Sequence, residues 1–504
     1  MNYIYVVTEE KTLIGLQKKK TKEFLGVPFA TAPMGSLRFK RAKPLEKKRE
    51  EIICTEFKNK AIQPKIGLLT IENSILQSED CLYLNIWTPI DTCVKKPVVV
   101  WIHGGAFIMG ETATRIFNGE SFAINGDIIF ISIQYRLGVF GFLDLSYLNN
   151  DFQSFDTNIG LSDQIEALKW IQKNISYFGG DKDNITLMGE SAGATSILSL
   201  MVSPMAKGLF HKVICQSALV ESILTKKNAQ FWAKKMMKFM GLKTYDIKGL
   251  LEVSSEIVVN ATAKLFEVFT DIMPGAWPFS PVIDNDLLPY SIIEGFNKNK
   301  AMNIPLLIGT NKDETSNFVK EKAPWLPSNE KQIDLLFKLN PHLDKRRILS
   351  NYCSYPNLDA LRALTRDMSF VCGNTKLADL NSINQKTYVY RFDYETVVSK
   401  KLNLGAFHGI EIMFAFNNLD SELSKILAYE TENPKIIANL VHNYWINFIK
   451  YANPNREETF YWKEYSSKNR ETISLNIKPS ILINPDSIGY EIWKALPLYI
   501  SDLP

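Results

Sequence analysis

The chain has 504 residues, 46% hydrophobic and 22% charged, with 58 Lys and Arg against 54 Asp and Glu for a formal net charge of +4. Those proportions exclude a disordered chain, the charge is too small and dispersed for a nucleic-acid surface, and no run of about 20 apolar residues exists to span a bilayer. The six cysteines, Cys54, Cys81, Cys93, Cys215, Cys353 and Cys372, show no C-x-x-C spacing, so neither a zinc site nor a redox motif is indicated and reduced thiols are expected.

In chain order, the start from Met1 to Val7 and then Thr8-Glu9-Glu10-Lys11 has neither the basic residues nor the apolar stretch of an export signal, so a cytoplasmic location is expected. Val6-Val7, Leu13-Ile14 and Phe24-Leu25 alternate with charged turns, which predicts a small antiparallel sheet at the N-terminus. Pro97 to Ile102, Ile128 to Gln134, Ile185 to Met188 and Ile304 to Ile308 are unbroken apolar, β-branched runs, as strands covered on both faces require. Between them, Ile165, Leu168 and Ile171 predict a helix over Leu161 to Ile175. Apolar stripes over 228–240, stopping at Gly241, and over 436–449 predict two core-facing helices. Strand alternating with helix predicts an α/β fold with a central, mostly parallel sheet flanked by helices. No repeat or Pro/Gly/Ser-rich linker interrupts residues 1–504, which are expected to form one domain with helical insertions.

The predicted strand Asn184 to Met188 runs into Gly189-Glu190-Ser191-Ala192-Gly193, followed by helix-competent Ala194 to Met201. Strand, G-x-S-x-G, helix is the order of a sharp turn that projects a serine hydroxyl above a sheet, with the helix N-terminus adding positive potential beneath a developing oxyanion. A second glycine cluster, His103-Gly104-Gly105-Ala106-Phe107, follows the strand Val98 to Ile102 and resembles the H-G-G-G loop of lipases and esterases. Such a loop aims backbone amides at a carbonyl oxygen, joined by the amide of Ala192. On its own it is also what a plain glycine turn would look like.

A serine hydroxyl needs a base, and the chain offers five histidines: His103, His211, His342, His408 and His442. The order serine, acid, histidine excludes His103 and leaves His211 too close to Ser191. His442 lies in the apolar helix and His342 in Asn-Pro-His-Leu-Asp, whereas His408 sits in the loop Gly405-Ala406-Phe407-His408-Gly409, so His408 is assigned. The acid is sought after the strand Ile304 to Gly309, where Asp313 and Glu314 stand side by side and general chemistry does not choose between them.

With these residues in place the chain resembles the type-B carboxylesterases, the α/β-hydrolase family of cholinesterases and bacterial para-nitrobenzyl esterases. The resemblance is carried by Phe24 to Ala30, by Ser78-Glu79-Asp80-Cys81-Leu82-Tyr83-Leu84-Asn85-Ile86-Trp87, by Tyr135 to Phe142 and by Phe178-Gly179-Gly180-Asp181. It implies Glu314 as the acid, His408 as the base, Gly105, Ala106 and Ala192 as oxyanion amides, and ion pairs Arg38–Glu79 and Arg136–Asp163. It also pairs Cys54 with Cys81, a disulfide that a reducing compartment would leave unformed. Thr315 stands where the family usually has glycine. Residues 55–80, which in cholinesterases carry a choline-binding tryptophan, hold only Phe57 as an aromatic, so a choline ester is not expected.

The expected activity is hydrolysis of a small-molecule carboxylic ester through Ser191, with no cofactor, metal, nucleic acid or membrane involved and with a monomer compatible with the sequence. The alternatives are an amidase or lactonase on the same fold, or a silent binding relative; the latter usually lacks the serine or the histidine, and both positions are filled here. The sequence names no substrate-binding residue.

Overall fold

Along the strand Lys96–Ile102, Val98, Val100 and Ile102 face one apolar layer and Val99 and Trp101 the other, and all five are buried. A strand covered on both faces shows no polar alternation, which is why the sequence reads there as a continuous apolar run. The computed structural model describes residues 2–66, 75–320, 324–429, 433–457 and 459–499.

In chain order the strands are β1 (Asn2–Val7), β2 (Lys11–Gln17), β3 (Thr21–Pro28), β4 (Glu50–Ile53), β5 (Tyr83–Pro89), β6 (Lys96–Ile102) and β7 (Ile129–Ile133). They continue with β8 (Gly180–Glu190), β9 (Lys212–Gln216), β10 (Leu306–Asn311), β11 (Thr387–Phe392), β12 (Glu471–Leu475) and β13 (Ser480–Ile483). They form one sheet in the order β1-β2-β3-β5-β7-β6-β8-β9-β10-β11-β12-β13, with β4 beside β2. From β7 to β12 every pairing is parallel. The N-terminal β1, β2 and β3 are antiparallel, as their alternation predicts, and continue through β5 into the same sheet.

The helices Ile159–Asn174 and Ala192–Val202 cover one face, and Asn433–Tyr451 covers the other. The stripe at 228–240 is the helix Lys226–Phe239, capped by Thr225, whose side chain accepts from Asn228 N. One boundary moves: the predicted strand Ile304 to Ile308 is β10, beginning at Leu306, because Pro305 has no N–H to give a ladder. Its carbonyl still accepts from Val213 N at 3.1 Å.

Both implied ion pairs form. Arg38 Nε donates to Glu79 Oε2 at 2.8 Å, and Arg136 Nε to Asp163 Oδ2 at 2.9 Å, the latter pair fully enclosed. Cys54 and Cys81 are buried free thiols. Within residues 55–80, where cholinesterases carry the choline-binding tryptophan, residues 67–74 lie outside the described residues.

Candidate active site

The site is assembled at the carboxyl ends of β6, β8 and β10 and in the loop beyond β11, where parallel sheets place their chemistry. β8 runs straight into Ser191, whose backbone sits at φ 56° and ψ −121°, and the helix Ala192–Val202 begins at the next residue. A non-glycine residue held at positive φ costs about 1–3 kcal/mol and persists only where its surroundings enforce it. Here Ser191 N donates to Gln216 O at the end of β9 (2.8 Å), and Ser191 O accepts from Thr195 N (2.9 Å). Gly193 lets the turn close, because a Cβ there would lie 2.0 Å from Ile102 O at the end of β6. The serine is 7% exposed.

The glycine cluster after β6 packs against this turn: a Cβ on Gly104 would fall 3.1 Å from Ser191 Cβ. Gly105, Ala106 and Phe107 all have positive φ (112°, 54° and 61°), and a Cβ on Gly105 would sit 2.0 Å from Met109 O. Among the described residues, the amides of Gly105, Ala106 and Ala192 donate no hydrogen bond within the protein. Free N–H groups on successive positive-φ residues form an anion-attracting concavity, and the first amide of a helix adds its dipole.

The His408 side chain is 8% exposed, its ring flanked by Phe318 at 4.9 Å and Phe370 at 5.1 Å between centroids. Its Nδ1 lies 2.6 Å from Glu314 Oε2, and Glu314 Oε1 accepts from Asn311 N at 2.8 Å. The neighbouring Asp313 turns the other way and accepts from Ala406 N at 2.9 Å, so of the two adjacent carboxylates Glu314 faces the imidazole. The opposite ring atom, Nε2, lies 3.0 Å from Glu190 Oε1 without hydrogen-bond alignment. Among the described residues no hydrogen bond joins the ring to Ser191 Oγ. Burial alone would lower the histidine pKa, but the carboxylates of Glu190 and Glu314 outweigh it and hold the imidazole well above its ordinary value.

A third carboxyl, Glu411, is fully buried behind the histidine turn, accepting from Gln216 Nε2 at 3.0 Å and Asn311 Nδ2 at 2.5 Å. Burial, reinforced by the charges of Glu190 and Glu314, pushes its pKa up to about 8. The sequence shows Glu190 only as the neighbour of the serine; it meets the same imidazole as Glu314 because the sheet brings the ends of β8 and β10 to one edge.

The other histidines are engaged elsewhere. His103 stacks on Tyr135 at 4.4 Å, His211 Nδ1 accepts from Ile185 N at 3.1 Å, and His442 Nδ1 lies 2.8 Å from Ala415 O. His342 is exposed on a turn. Among the described residues no group of three or more His, Cys, Asp or Glu is arranged to hold a metal, and no helix is long and apolar enough to cross a membrane.

This fold recurs in known proteins. The carboxylesterase family matches residues 5–493. The chain is similar to para-nitrobenzyl esterase of Bacillus subtilis strain 168, at 33% identity over 499 residues covering 97% of this chain and 98% of that protein. It is also similar to carboxylesterase 1E of Rattus norvegicus, at 33% identity, covering 88% and 84%. Among solved structures, a thermophilic PNB esterase superposes with a TM-score of 0.88 at 32% identity, over 97% of this chain and 99% of that one. A Geobacillus stearothermophilus carboxylesterase follows at 0.83 and 30%, with the same coverage. A match of this extent in sequence and in backbone means that the chain belongs to the carboxylesterase family and is a carboxylic ester hydrolase.

Proposed function

We propose that hydrolysis proceeds through an acyl-enzyme, with Ser191 as nucleophile, His408 as general base and acid, and Glu314 as the group that orients the imidazole. The reading is carried by one observation: the imidazole held by Glu314 at 2.6 Å brings its other nitrogen to within 3.0 Å of Glu190, the residue that precedes a serine held in a strained strand-to-helix turn. With Glu314 accepting from Nδ1–H, the bare electron pair is on Nε2, where the serine proton must go. As an ester enters, the ring turns from Glu190 toward Ser191 Oγ, since catalytic hydrogen bonds often tighten only with substrate bound.

Oγ then bonds to the carbonyl carbon while its proton passes to Nε2, and the carbonyl π electrons move to oxygen. The free amides of Gly105, Ala106 and Ala192 stabilise that oxyanion, each donor of this kind being worth about a hundredfold to a thousandfold in rate. Collapse breaks the bond to the alcohol, which leaves with the proton from Nε2. Water, deprotonated by the same nitrogen, repeats the sequence on the acyl-serine and frees the acid. The carboxylates of Glu314 and Glu190 stabilise the imidazolium formed in each half-reaction. Segments from the N-terminal strands to β13 pair in one sheet around this site, which supports reading residues 1–504 as a single catalytic domain.

Ser191→Ala is the test. Hydrolysis of a p-nitrophenyl acyl ester should fall by about 10⁶-fold, while circular dichroism and unfolding stay those of the parent. Wild-type turnover by the folded variant would overturn the mechanism.

A further inference from the structure

Glu314 lies on a loop fastened from two sides. On the inner side, Asp313 N donates to Ala406 O at 3.0 Å and Ser316 Oγ to Leu404 O at 2.5 Å, tying the loop to the segment that bears His408. On the outer side lies the helix Leu358–Arg366. Thr315 Oγ1 donates to Arg362 O at 2.7 Å, Arg362 Nη2 to Ser316 O at 3.1 Å and Arg366 Nη1 to Lys312 O at 3.3 Å. Arg362 Nη1 also reaches Asn403 O, at 3.4 Å, just before the histidine turn. These groups line a cleft of about 530 Å³ on the far side of the loop from the histidine. Thr315 itself is 1% exposed, so Arg362 O is the partner its hydroxyl cannot replace with water.

We propose that Thr315, through its bond to Arg362, is a positioning residue that sets where Glu314 meets His408. The inference rests on the triad proposed above. The helix Leu358–Arg366 holds the acid loop by a side-chain hydroxyl, and Arg362 holds both the acid loop and the histidine loop from one guanidinium. If the hydroxyl bond is lost, the loop keeps its inner fastening and its fold but gains slack toward the cleft. A displacement of about 1 Å at a catalytic group can cost about a hundredfold, so a few tenths cost about tenfold.

The experiment compares Thr315→Val, which keeps shape and removes the hydroxyl, with Thr315→Ser, which keeps the hydroxyl. Readouts are kcat, KM and the pH profile of kcat/KM on a p-nitrophenyl ester. The groups facing His408 are Glu314 from the loop after β10, Glu190 from the end of β8 and Glu411 from its own turn, and only Glu314 is loosened. Thr315→Val should lower kcat about tenfold with KM within about twofold, and move the ascending pH limb downward, as a slackened carboxylate supports the imidazolium less. Thr315→Ser should stay within about twofold of the parent in both. Should the valine variant fail to unfold cooperatively, Thr315→Ala, which also removes the hydroxyl and leaves the Arg362 carbonyl without it, replaces it and should shift kcat and the limb in the same directions.

A folded valine variant with parental kcat and parental limb would overturn the inference, as would a serine variant damaged as badly as the valine one. Ser191→Ala separates the two proposals. If it is dead while Thr315→Val is unaffected, only the positioning role fails; if it is active, the triad fails.

Discussion

Replacing Glu314 by glutamine keeps the outline of the side chain and removes its charge. In the parent, Oε1 accepts from Asn311 N at 2.8 Å and Oε2 meets His408 Nδ1 at 2.6 Å. The Asn311 N–H can only donate, so the amide oxygen stays with it and the NH₂ group is left facing Nδ1. Two donors cannot share that contact. The imidazole must therefore bare Nδ1 and carry its proton on Nε2, the nitrogen that has to receive the serine proton. In another Ser-His-acid enzyme an acid-to-amide change that imposes the wrong tautomer costs about 10⁴ in kcat, so a loss of about 10³ to 10⁴ with KM largely retained is expected here.

Asp313→Asn is the matched control. Its carboxylate accepts from Ala406 N, a bond that an amide oxygen can keep, so kcat should fall by no more than about threefold. Saturation kinetics on a p-nitrophenyl ester, normalised by active-site titration, reads both. Glu314→Gln within about tenfold of the parent, or Asp313→Asn the more damaged of the pair, would refute the reasoning.

The neutral imidazole is the base, and its pKa is held above the ordinary 6.5, so kcat/KM should rise with pH through that raised value. Glu190→Gln removes one supporting carboxylate and should move this limb to lower pH; an unmoved limb would show that Glu190 does not act on the ring. The same raised pKa means that the protonated ring stabilises the fold fully below pH 6.5, a contribution that fades as pH rises through the folded value, readable by urea unfolding across pH. Gly193→Ala would force its methyl to 2.0 Å from Ile102 O, so urea unfolding should show a loss of about 2–3 kcal/mol together with loss of activity. Asp163→Ala leaves the guanidinium of Arg136 buried without its partner and should cost about 3–5 kcal/mol by the same measurement.

What could be read from the amino-acid order is what local periodicity and elimination decide. The strands of the parallel core announce themselves because both faces are covered, and the serine turn because strand, glycines and helix are contiguous in the chain. His408 emerged because the other histidines stand in helices, tight turns or the wrong order, and the structure finds three of them already bonded or stacked. The choice between Asp313 and Glu314 was not legible from chemistry. Which way two adjacent side chains point depends on how the loop is fastened to Ala406 and Arg362, contacts far away in sequence. Family resemblance supplied the glutamate, but not the approach of Glu190 to the far side of the ring, nor the hydroxyl bond of Thr315 at the position where glycine is usual. The groups that shape the substrate pocket stayed hidden for the same reason: they are defined by packing between distant loops.

The most direct measurement is to react the protein with a fluorophosphonate, an electrophile that captures only an activated hydroxyl, and to map the adduct by mass spectrometry. The account predicts one stoichiometric adduct, on Ser191, formed faster as His408 loses its proton and abolished by His408→Ala although the serine remains. An adduct on a different residue, or undiminished labelling of Ser191 without the imidazole, would contradict it.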